Sequence, residues 1–537
     1  MRRSSACVRG GRIAVRDSPT ARCQVGGRRV SNDASGEAEV GGRRDCRSGT
    51  IASTSPSGCA SARQTRGFVP MQQRRHGSDN FCIAGEQRSG LICRRLPRSS
   101  ASPVWCCWWS GEAGECFGLC AHTSLRPESV RTGAPSAVNG ACTLCETVGV
   151  RVLFASTRGV GHFNPLVPFA DACLRRGHEV LVAGPPSLAG AVESAGYEFW
   201  VFDDPPEEEL AEVWARVPSL PPDEANAVVI GEIFGRLDAT ASLPRLREAC
   251  AEWTPDVVVR EPNEYGSAVA AELHGIPHAR VAIGLSRMEE LALRCASNAV
   301  DTLRDSVGLS SDATARALRH SPYLTLFPAS FEDPEEGEQP DTLRFGDPAW
   351  DASVAELPDW WSARAAPLVY ITLGSVAGAM GMTASVYQAA LEAVADLPVR
   401  VLLTVGLDAN LDVFAEAPPN VHVERWIPQA DVLSHASAVV CHGGAGSTLG
   451  ALAAGLPIVV VPLFADHPYN AQRVVAVGAG VAAAPDARAI RDGISRVLEN
   501  ESYRAAAQRL AREMRSNPST DAAVETLAAH AGTGATP

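Results

Sequence analysis

The chain has 537 residues and a net charge of −13, so it is long enough for two or more folded domains. Charge and cysteine are distributed unevenly, because residues 1–147 contain 21 arginines, 11 acidic residues and 12 of the 16 cysteines. The acidic remainder argues against nucleic acid or an anionic membrane as the partner of the main part of the chain.

Residues 1–147 form a low-complexity segment dominated by Arg, Ser, Gly and Cys. A nucleic-acid-binding arm would need interleaved aromatic and basic residues, and a zinc site would need a second pair to match Cys142 and Cys145. A secretory signal would need an apolar stretch after Met1. We therefore expect this segment to be disordered and dispensable, or to be upstream sequence that precedes a true start at Val148 or Val150.

A first α/β domain is predicted over residues 150–340. Arg151–Ala155 and Glu179–Ala183 are short apolar strands, and Thr157–Asn164 is a glycine-bearing loop. The helix between the strands begins at Pro165 and ends before Gly177. Such alternation of strand and helix indicates a doubly wound parallel sheet. The alternation recurs with strands at residues 256–259 and 280–283 and a helix at residues 266–274.

A second α/β domain is predicted over residues 367–537. Its first strands are Leu368–Thr372 and Val399–Thr404, and alanine- and arginine-rich helices occupy about residues 486–529. Residues 341–366, rich in Pro, Asp, Glu and Trp, are predicted to link the two domains.

The sequence also predicts where the protein resides. The uncharged stretch Gly443–Ala465 is divided by Gly455-Leu-Pro457 into a helix and a strand, so it does not indicate a membrane span. Four cysteines without paired spacing follow residue 147, which suits a reducing cytoplasm.

A glycine-rich turn follows a predicted strand of the second domain. Val439–Cys441 is the strand, His442-Gly-Gly444 is too rich in glycine to continue it, and apolar spacing from Ala445 predicts a helix that stops at Gly455 before Pro457. The first N–H groups of a helix lack intrahelical partners, and the helix dipole adds about half a positive charge there. The turn is therefore a candidate anion site, although the same glycines would also serve a turn that is only tightly packed.

The segment from Trp426-Ile-Pro-Gln429 to Asn470-Ala-Gln-Arg473 resembles the donor-binding signature of glycosyltransferase family 1. The wider resemblance runs from Arg151 to about Thr526 and excludes the first 150 residues. It implies an α/β fold of the GT-B type, in which two Rossmann-like, doubly wound domains face each other across a cleft. In the family the terminal helix packs back on the first domain.

The same resemblance implies an inverting, metal-independent hexosyltransferase. It uses a UDP- or dTDP-sugar as co-substrate, with no separate cofactor, and the acceptor is a hydroxyl group of a small molecule such as a polyketide-like aglycone of an antibiotic pathway. The chain contains no lysine, which is typical of GC-rich genomes such as those of actinobacteria. The oligomeric state, the sugar and the choice between uridine and thymidine stay open.

The resemblance assigns donor-binding roles to individual residues. Trp426 stacks on the pyrimidine, Gln429 bonds the base or ribose, and Asp466 bonds hydroxyl groups of the sugar. Ser375 resembles a second phosphate contact, and His467 stands where relatives commonly have Gln. The full predicted donor-binding set is Ser375, Trp426, Gln429, His442, Gly443, Gly444, Gly446, Ser447, Thr448, Asp466 and His467.

The catalytic base is predicted in the first domain. His162 lies in the loop after the first strand, where family members keep their base, and the ordinary pKa of histidine, about 6.5, is close to working pH. In much of the family an Asp that follows a later strand orients this base. Here Glu261 follows Val257–Arg260, so Glu261 is the predicted partner, with Glu264 or Asp256 as alternatives.

Two other functions stay open on the same fold. A nucleotide-sugar epimerase would not need the Trp426–Gln429 element together with an acceptor-side His162. A non-catalytic binding partner would not need to keep both the histidine and the glycines. Acceptor choice is predicted to depend on two variable loops, around Asp203–Ile233 and Leu285–Ser311.

Overall fold

A computed structural model describes residues 107–109, 116–118, 149–351, 366–374, 383–407 and 409–532. The predictions for Ser375, for Val148 and for most of residues 1–147 lie outside the described residues. The chain divides into two units, and in the first, residues 1–136, the described strands β1 (Cys107–Trp109) and β2 (Cys116–Gly118) pair antiparallel. The second unit, residues 137–537, contains both predicted α/β domains.

The first domain is built on a seven-stranded sheet in which every described pairing is parallel. Its strand order is β5-β4-β3-β6-β7-β8-β9. The strands are β3 (Arg151–Ala155), β4 (Glu179–Gly184), β5 (Glu198–Val201), β6 (Val257–Arg260), β7 (His278–Val281), β8 (Tyr323–Thr325) and β9 (Thr342–Arg344).

Helices cover both faces of this sheet, so alternate residues of β3 enter different cores. Leu153 and Ala155 pack on one side, and Val152 and Phe154 pack on the other. A parallel sheet that is buried on both faces explains why its central strands are continuous apolar runs.

The helices of the first domain are α1 (Val160–Phe163), α2 (Val167–Arg175), α3 (Ala189–Ser194), α4 (Glu207–Arg216), α5 (Pro222–Val228), a π-helix (Val229–Asp238), α6 (Ala239–Glu252), α7 (Gly266–Leu273), α8 (Ser286–Ser306) and α9 (Arg316–Arg319). Short 3-10 turns lie at Asn164–Leu166, Pro186–Leu188, Val217–Ser219, Ala329–Phe331 and Pro348–Asp351.

The predicted loop around His162 is wrong, because helix begins at Val160 and His162 belongs to α1. The chain turns at Gly159, which has φ +96°, and the backbone N–H groups of His162 and Phe163 both donate to its carbonyl oxygen. Burial of the Phe163 side chain favours this early start. Pro165 is then accommodated in a 3-10 turn and not at the first position of the main helix.

Three further boundaries differ from the predictions. The two predicted variable loops are mostly helical, since α4, α5 and part of the π-helix fall within 203–233 and α8 fills most of 285–311. The predicted linker overlaps the first sheet, because β9 pairs with β8. The strand predicted at residues 280–283 is β7, which starts earlier, at His278.

The second domain contains a six-stranded sheet, parallel throughout, in the order β12-β11-β10-β13-β14-β15. Its strands are β10 (Leu368–Thr372), β11 (Arg400–Thr404), β12 (Val421–Glu424), β13 (Ala438–Cys441), β14 (Ile458–Val460) and β15 (Gly480–Ala482). Its helices are α10 (Ala384–Val394), α11 (Gln429–Leu433), α12 (Ala445–Ala453), α13 (His467–Ala476), α14 (Ala487–Glu499), α15 (Glu501–Ser516) and α16 (Thr520–Ala531), with a 3-10 turn at Leu411–Phe414.

The last helix, α16, belongs to the first domain by its contacts. Val524 and Leu527 are buried in the same core as Phe154 and Phe169. On the surface, Arg175 pairs with Asp521 at 2.6 Å between Nη2 and Oδ1. The helix α16 therefore closes a core to which β3 contributes.

The two doubly wound sheets confirm the predicted α/β architecture of two domains. In such sheets ligands bind outside the carboxyl ends of the strands, which is where β3, β6 and β13 lead into the predicted site residues. In the part of the chain that the structure describes, no helix is long and apolar enough to cross a membrane.

Candidate active site

The glycine-rich turn after β13 leads directly into α12, as predicted. Gly443 has φ +92°, a conformation that favours glycine. Gly444 is the N-cap residue, and no side chain caps the helix there. The first N–H groups of α12 are therefore free to bind an anion.

The ring of His442 is held between two glycines. A Cβ atom on Gly374 would lie 2.7 Å from its Cε1, and one on Gly444 would lie 2.4 Å from its Nε2. Burial lowers the pKa of His442 to about 4. Near neutral pH the imidazole is therefore neutral, and its one ring N–H can donate either to the Thr372 backbone or to a phosphate oxygen.

Asn470 connects the glycine turn to Asp466. Its Nδ2 donates to the Gly443 carbonyl oxygen and to Asp466 Oδ2, each at 2.7 Å. Burial raises the pKa of Asp466 to about 6, although the Asn470 hydrogen bond opposes the shift. The sequence pattern assigns no role to Asn470, because its two partners lie in different segments of the chain.

Two predicted donor-binding residues do not face the cleft. His467 is 4% exposed, and its Nδ1 accepts the backbone N–H of Phe464 at 3.2 Å while its ring packs edge-on against His442 at 4.5 Å between centroids. Thr448 is fully buried. Both side chains are therefore buried beside the turn, and their predicted donor-binding roles stay predictions.

Several of the other predicted donor-binding residues are accessible. Trp426 is 57% exposed just beyond β12, so it is not a core residue. Gln429 begins α11, and its Nε2 donates to the Ser447 carbonyl oxygen at 3.5 Å. Gly446 is exposed and Ser447 is half-buried at the start of α12.

His162 and Glu261 lie together at the carboxyl ends of β3 and β6. Nδ1 of His162 is 3.3 Å from Oε2 of Glu261, an ion-pair distance, and the contact falls outside strict hydrogen-bond geometry. Glu261 is fully buried, and it accepts hydrogen bonds from Thr157 Oγ1 at 2.7 Å and from the Asn263 N–H at 2.8 Å. His162 retains 23% side-chain exposure, so a substrate can reach it.

The pKa values of the pair shift in opposite directions. Burial disfavours the imidazolium form of His162, but the carboxylates of Glu261, Asp238 and Asp466 outweigh burial and raise the pKa of His162. Burial also opposes ionisation of Glu261, yet His162 and Thr157 lower the pKa of that carboxyl. Glu261 is therefore ionised and stabilises a proton on His162.

The alternative partners have other contacts. Glu264 accepts from Ser242 Oγ at 3.1 Å and from the Ser267 N–H at 2.9 Å, which ties it to the start of α7. Asp256 accepts the Arg151 N–H at 2.9 Å at the opposite ends of β3 and β6. Glu261 is thus the acid that the structure places beside His162.

The π-helix supplies two neighbours of His162 that sequence reasoning missed. The ring of Phe234 lies 5.3 Å from that of His162 between centroids. The carboxylate of Asp238 acts electrostatically on His162 and is paired with Arg158 at 2.7 Å between Oδ1 and Nη2. The amphipathic spacing of this segment signals a helix but carries no information about these distant partners.

The acceptor and donor sides meet across the cleft. Asp466 of the second domain acts electrostatically on His162 of the first. Nearby, the Tyr469 hydroxyl donates to Asp223 Oδ1 at 3.0 Å and Arg287 covers the Tyr469 ring at 4.5 Å. The structure therefore brings His162, Asp466 and the start of α12 to one cleft.

Comparison with known proteins identifies the family. The family of the erythromycin biosynthesis protein CIII-like C-terminal domain matches residues 388–530, and that of the N-terminal domain matches residues 226–374. The chain is 32% identical to the L-demethylnoviosyl transferase of Streptomyces niveus over 388 residues, which span 71% of this chain and 98% of that relative. The chain belongs to the glycosyltransferases of bacterial natural-product biosynthesis.

Solved structures give the same fold. SnogD, a glycosyltransferase from Streptomyces nogalater, is 27% identical with a TM-score of 0.58, and the match covers 72% of this chain and all of that chain. The spinosyn rhamnosyltransferase SpnG complexed with thymidine diphosphate is 23% identical with a TM-score of 0.59, covering 70% of this chain and all of SpnG. These likenesses confirm the GT-B fold.

Replacement of Gly444 tests the shape of the anion site. In Gly444→Ala the new Cβ would clash with His442, which Gly374 prevents from moving away, and overpacking of this kind costs roughly 1–3 kcal/mol. We expect affinity for a nucleoside diphosphate to fall by about tenfold or more, measured by calorimetry. Gly190→Ala, where a Cβ would meet nothing within 4 Å, is the matched control. Unchanged affinity in Gly444→Ala would contradict the proposed anion site.

The pH profile tests the His162–Glu261 pair. A base is active when unprotonated, so kcat/KM should fall on the acid side with a midpoint above 6.5, the ordinary pKa of histidine, because the pKa of His162 is raised. Glu261→Gln removes the largest raising influence, so we expect that midpoint to move to lower pH and the maximal rate to drop. Asp256→Asn, which keeps an acceptor for Arg151, should leave the midpoint unchanged. A midpoint that is the same in Glu261→Gln and the parent would exclude the pairing.

Proposed function

We propose that the protein is an inverting, metal-independent glycosyltransferase. It transfers a hexose or deoxyhexose from a UDP- or dTDP-sugar to a hydroxyl group of a small, polyketide-like aglycone. The observation that carries this proposal is the position of His162, which is paired with Glu261 and partly exposed on the cleft that also holds Asp466.

In the proposed reaction His162 acts as the general base. Its Nδ1 faces Glu261, so Nε2 is left to take the proton of the acceptor hydroxyl as the oxygen attacks the anomeric carbon. The new carbon–oxygen bond forms as the bond to the diphosphate breaks. A single displacement of this kind inverts the configuration at the anomeric carbon.

The leaving diphosphate would lie at the start of α12. Free N–H groups there, together with the positive end of the helix dipole, stabilise the negative charge that develops on the leaving group. His442 adds a neutral donor. These fixed donors supply the stabilisation that a metal ion provides in other transferases, which supports a mechanism without a metal or separate cofactor.

The donor would extend from Trp426 to Asp466. The exposed indole of Trp426 offers a surface on which the pyrimidine stacks, and the Asp466 carboxylate accepts hydrogen bonds from the sugar. Since SpnG was solved with thymidine diphosphate, dTDP is the first nucleotide to test, with UDP beside it. The transferase family favours this reaction over the epimerase and binding-only alternatives.

Removal of the base should lower turnover without weakening the binding of the nucleoside diphosphate. His162→Ala should reduce turnover by roughly 10²–10⁴, the usual contribution of a positioned general base. Affinity for the nucleoside diphosphate should stay nearly intact, because His162 faces the acceptor. Steady-state rates with a panel of nucleotide sugars and aglycones, together with diphosphate titrations, provide the measurement. Unchanged turnover would remove His162 from the mechanism.

Two donor-side variants should behave differently with the diphosphate alone. Trp426→Ala removes the stacking surface, and base–aromatic stacking is worth about 1–3 kcal/mol, so affinity should fall by roughly tenfold or more. Asp466→Ala should leave diphosphate affinity intact while turnover of the complete donor drops, since its partner is the sugar. Calorimetric titration of both variants with the nucleoside diphosphate measures the two affinities. Equal losses of diphosphate affinity would mean that the sugar is placed wrongly.

A further inference from the structure

A small pocket with several charged lining residues lies beside His162 in the first domain. Four carboxylates line it, from Asp203, Asp204, Asp238 and Glu264, together with the single guanidinium of Arg158. Acidic groups therefore outnumber basic groups in this pocket. Thr157, which bonds Glu261, forms part of the same lining, so the pocket lies next to the catalytic pair.

Asp238 carries a carboxylate oxygen without a hydrogen-bond partner, and Arg158 Nε is the other buried atom of a lining side chain that lacks one among the described residues. Asp238 is only 8% exposed, and its Oδ1 accepts from Arg158 Nη2 at 2.7 Å. Its Oδ2 is buried and accepts no hydrogen bond from any residue that the structure describes. Burial raises the pKa of Asp238 to about 6 even though Arg158 opposes the shift.

Arg158 does not neutralise this site by itself. Its Nη2 also lies 3.3 Å from Asp204 Oδ1, so one positive charge is shared between two carboxylates. A buried carboxylate oxygen without a partner is costly, and a charged donor compensates it better than a neutral one. A neutral hydroxyl would leave the excess negative charge in place, and an anion would be repelled.

We propose that this pocket binds a protonated amine of the acceptor, with Asp238 Oδ2 as its hydrogen-bond partner, while His162 faces the hydroxyl group that receives the sugar. The inference rests on the proposed function, because it assumes that the acceptor enters beside His162. It defines the substrate class more narrowly, as amino-bearing aglycones, and makes Asp238 a specificity-determining residue.

Three phenols of matched shape test this preference. Tyramine, 4-ethylphenol and 3-(4-hydroxyphenyl)propionate share a phenol and a two-carbon chain, but end in an ammonium group, a hydrogen and a carboxylate. Dissociation constants would be measured on the full chain with dTDP present, at about pH 7.5, where Asp238 is ionised. We expect tyramine to bind roughly tenfold more tightly than 4-ethylphenol, and the carboxylate to bind most weakly.

The Asp238→Asn variant connects that preference to one residue. Asparagine keeps the shape and an oxygen for Arg158, so dTDP affinity should be unchanged and serves as the check on folding. Tyramine should lose its advantage, while 4-ethylphenol should bind as before. Asp204→Asn is the matched control, because it removes a pocket carboxylate that is more exposed to solvent, and its effect on tyramine should be clearly smaller.

Several results would overturn the proposal. They are equal binding of tyramine and 4-ethylphenol by the parent protein, a preference that survives Asp238→Asn, an equal loss in Asp204→Asn, and no binding of any probe at millimolar concentration. These titrations do not require sugar transfer. Failure of the proposed function would instead be seen as full turnover in His162→Ala, so the two failures are distinguishable.

Discussion

The acceptor side of the molecule depends on one buried charge, the carboxylate of Glu261. A carboxylate removed from water is tolerated only where hydrogen bonds and an opposite charge compensate it. Here the compensation comes from Thr157 after β3, from the Asn263 N–H in the loop beyond β6, and from the His162 ring on α1. Behind the same loop, the buried Arg260 guanidinium donates to the carbonyl oxygens of Glu261, Pro262 and Glu264. The need to satisfy Glu261 therefore fixes the positions of three separate elements.

On the donor side, neutral side chains hold the site together. His442 and His467 are both buried, and burial keeps both imidazoles uncharged near neutral pH. Their edge-on packing supports the turn at Gly443, while Asn470 joins that turn to Asp466. These packed side chains thus determine where the first N–H groups of α12 and the Asp466 carboxylate lie relative to each other.

Sequence reasoning predicted those parts of the molecule that depend on local pattern. Strands such as β3, β10 and β13 are continuous apolar runs because both faces of a parallel sheet are buried, and α12 follows its glycines at the expected residue. Sequence reasoning was wrong at α1. Gly159 and Gly161 are typical of a loop, but Gly159 forms only the turn that precedes the helix. Sequence reasoning also missed Phe234 and Asp238, because their neighbour His162 is more than 70 positions away in the sequence. The pairing of Glu261 with His162 was predicted from the family resemblance, and the structure places the two side chains together because both follow neighbouring strands of one sheet.

The position of α16 has a consequence for how the protein is made. The first domain begins at β3, yet its core is completed by Val524 and Leu527, which the ribosome adds only after all strands of the second sheet. Until α16 has emerged, the surface formed by Phe154, Phe169 and their neighbours lacks its cover. Domains generally fold as they are synthesised, starting from the N-terminal one. This first domain must instead wait through the synthesis of the second sheet, so the nascent chain carries an exposed apolar surface, a natural place for a chaperone to act, until α16 has been made.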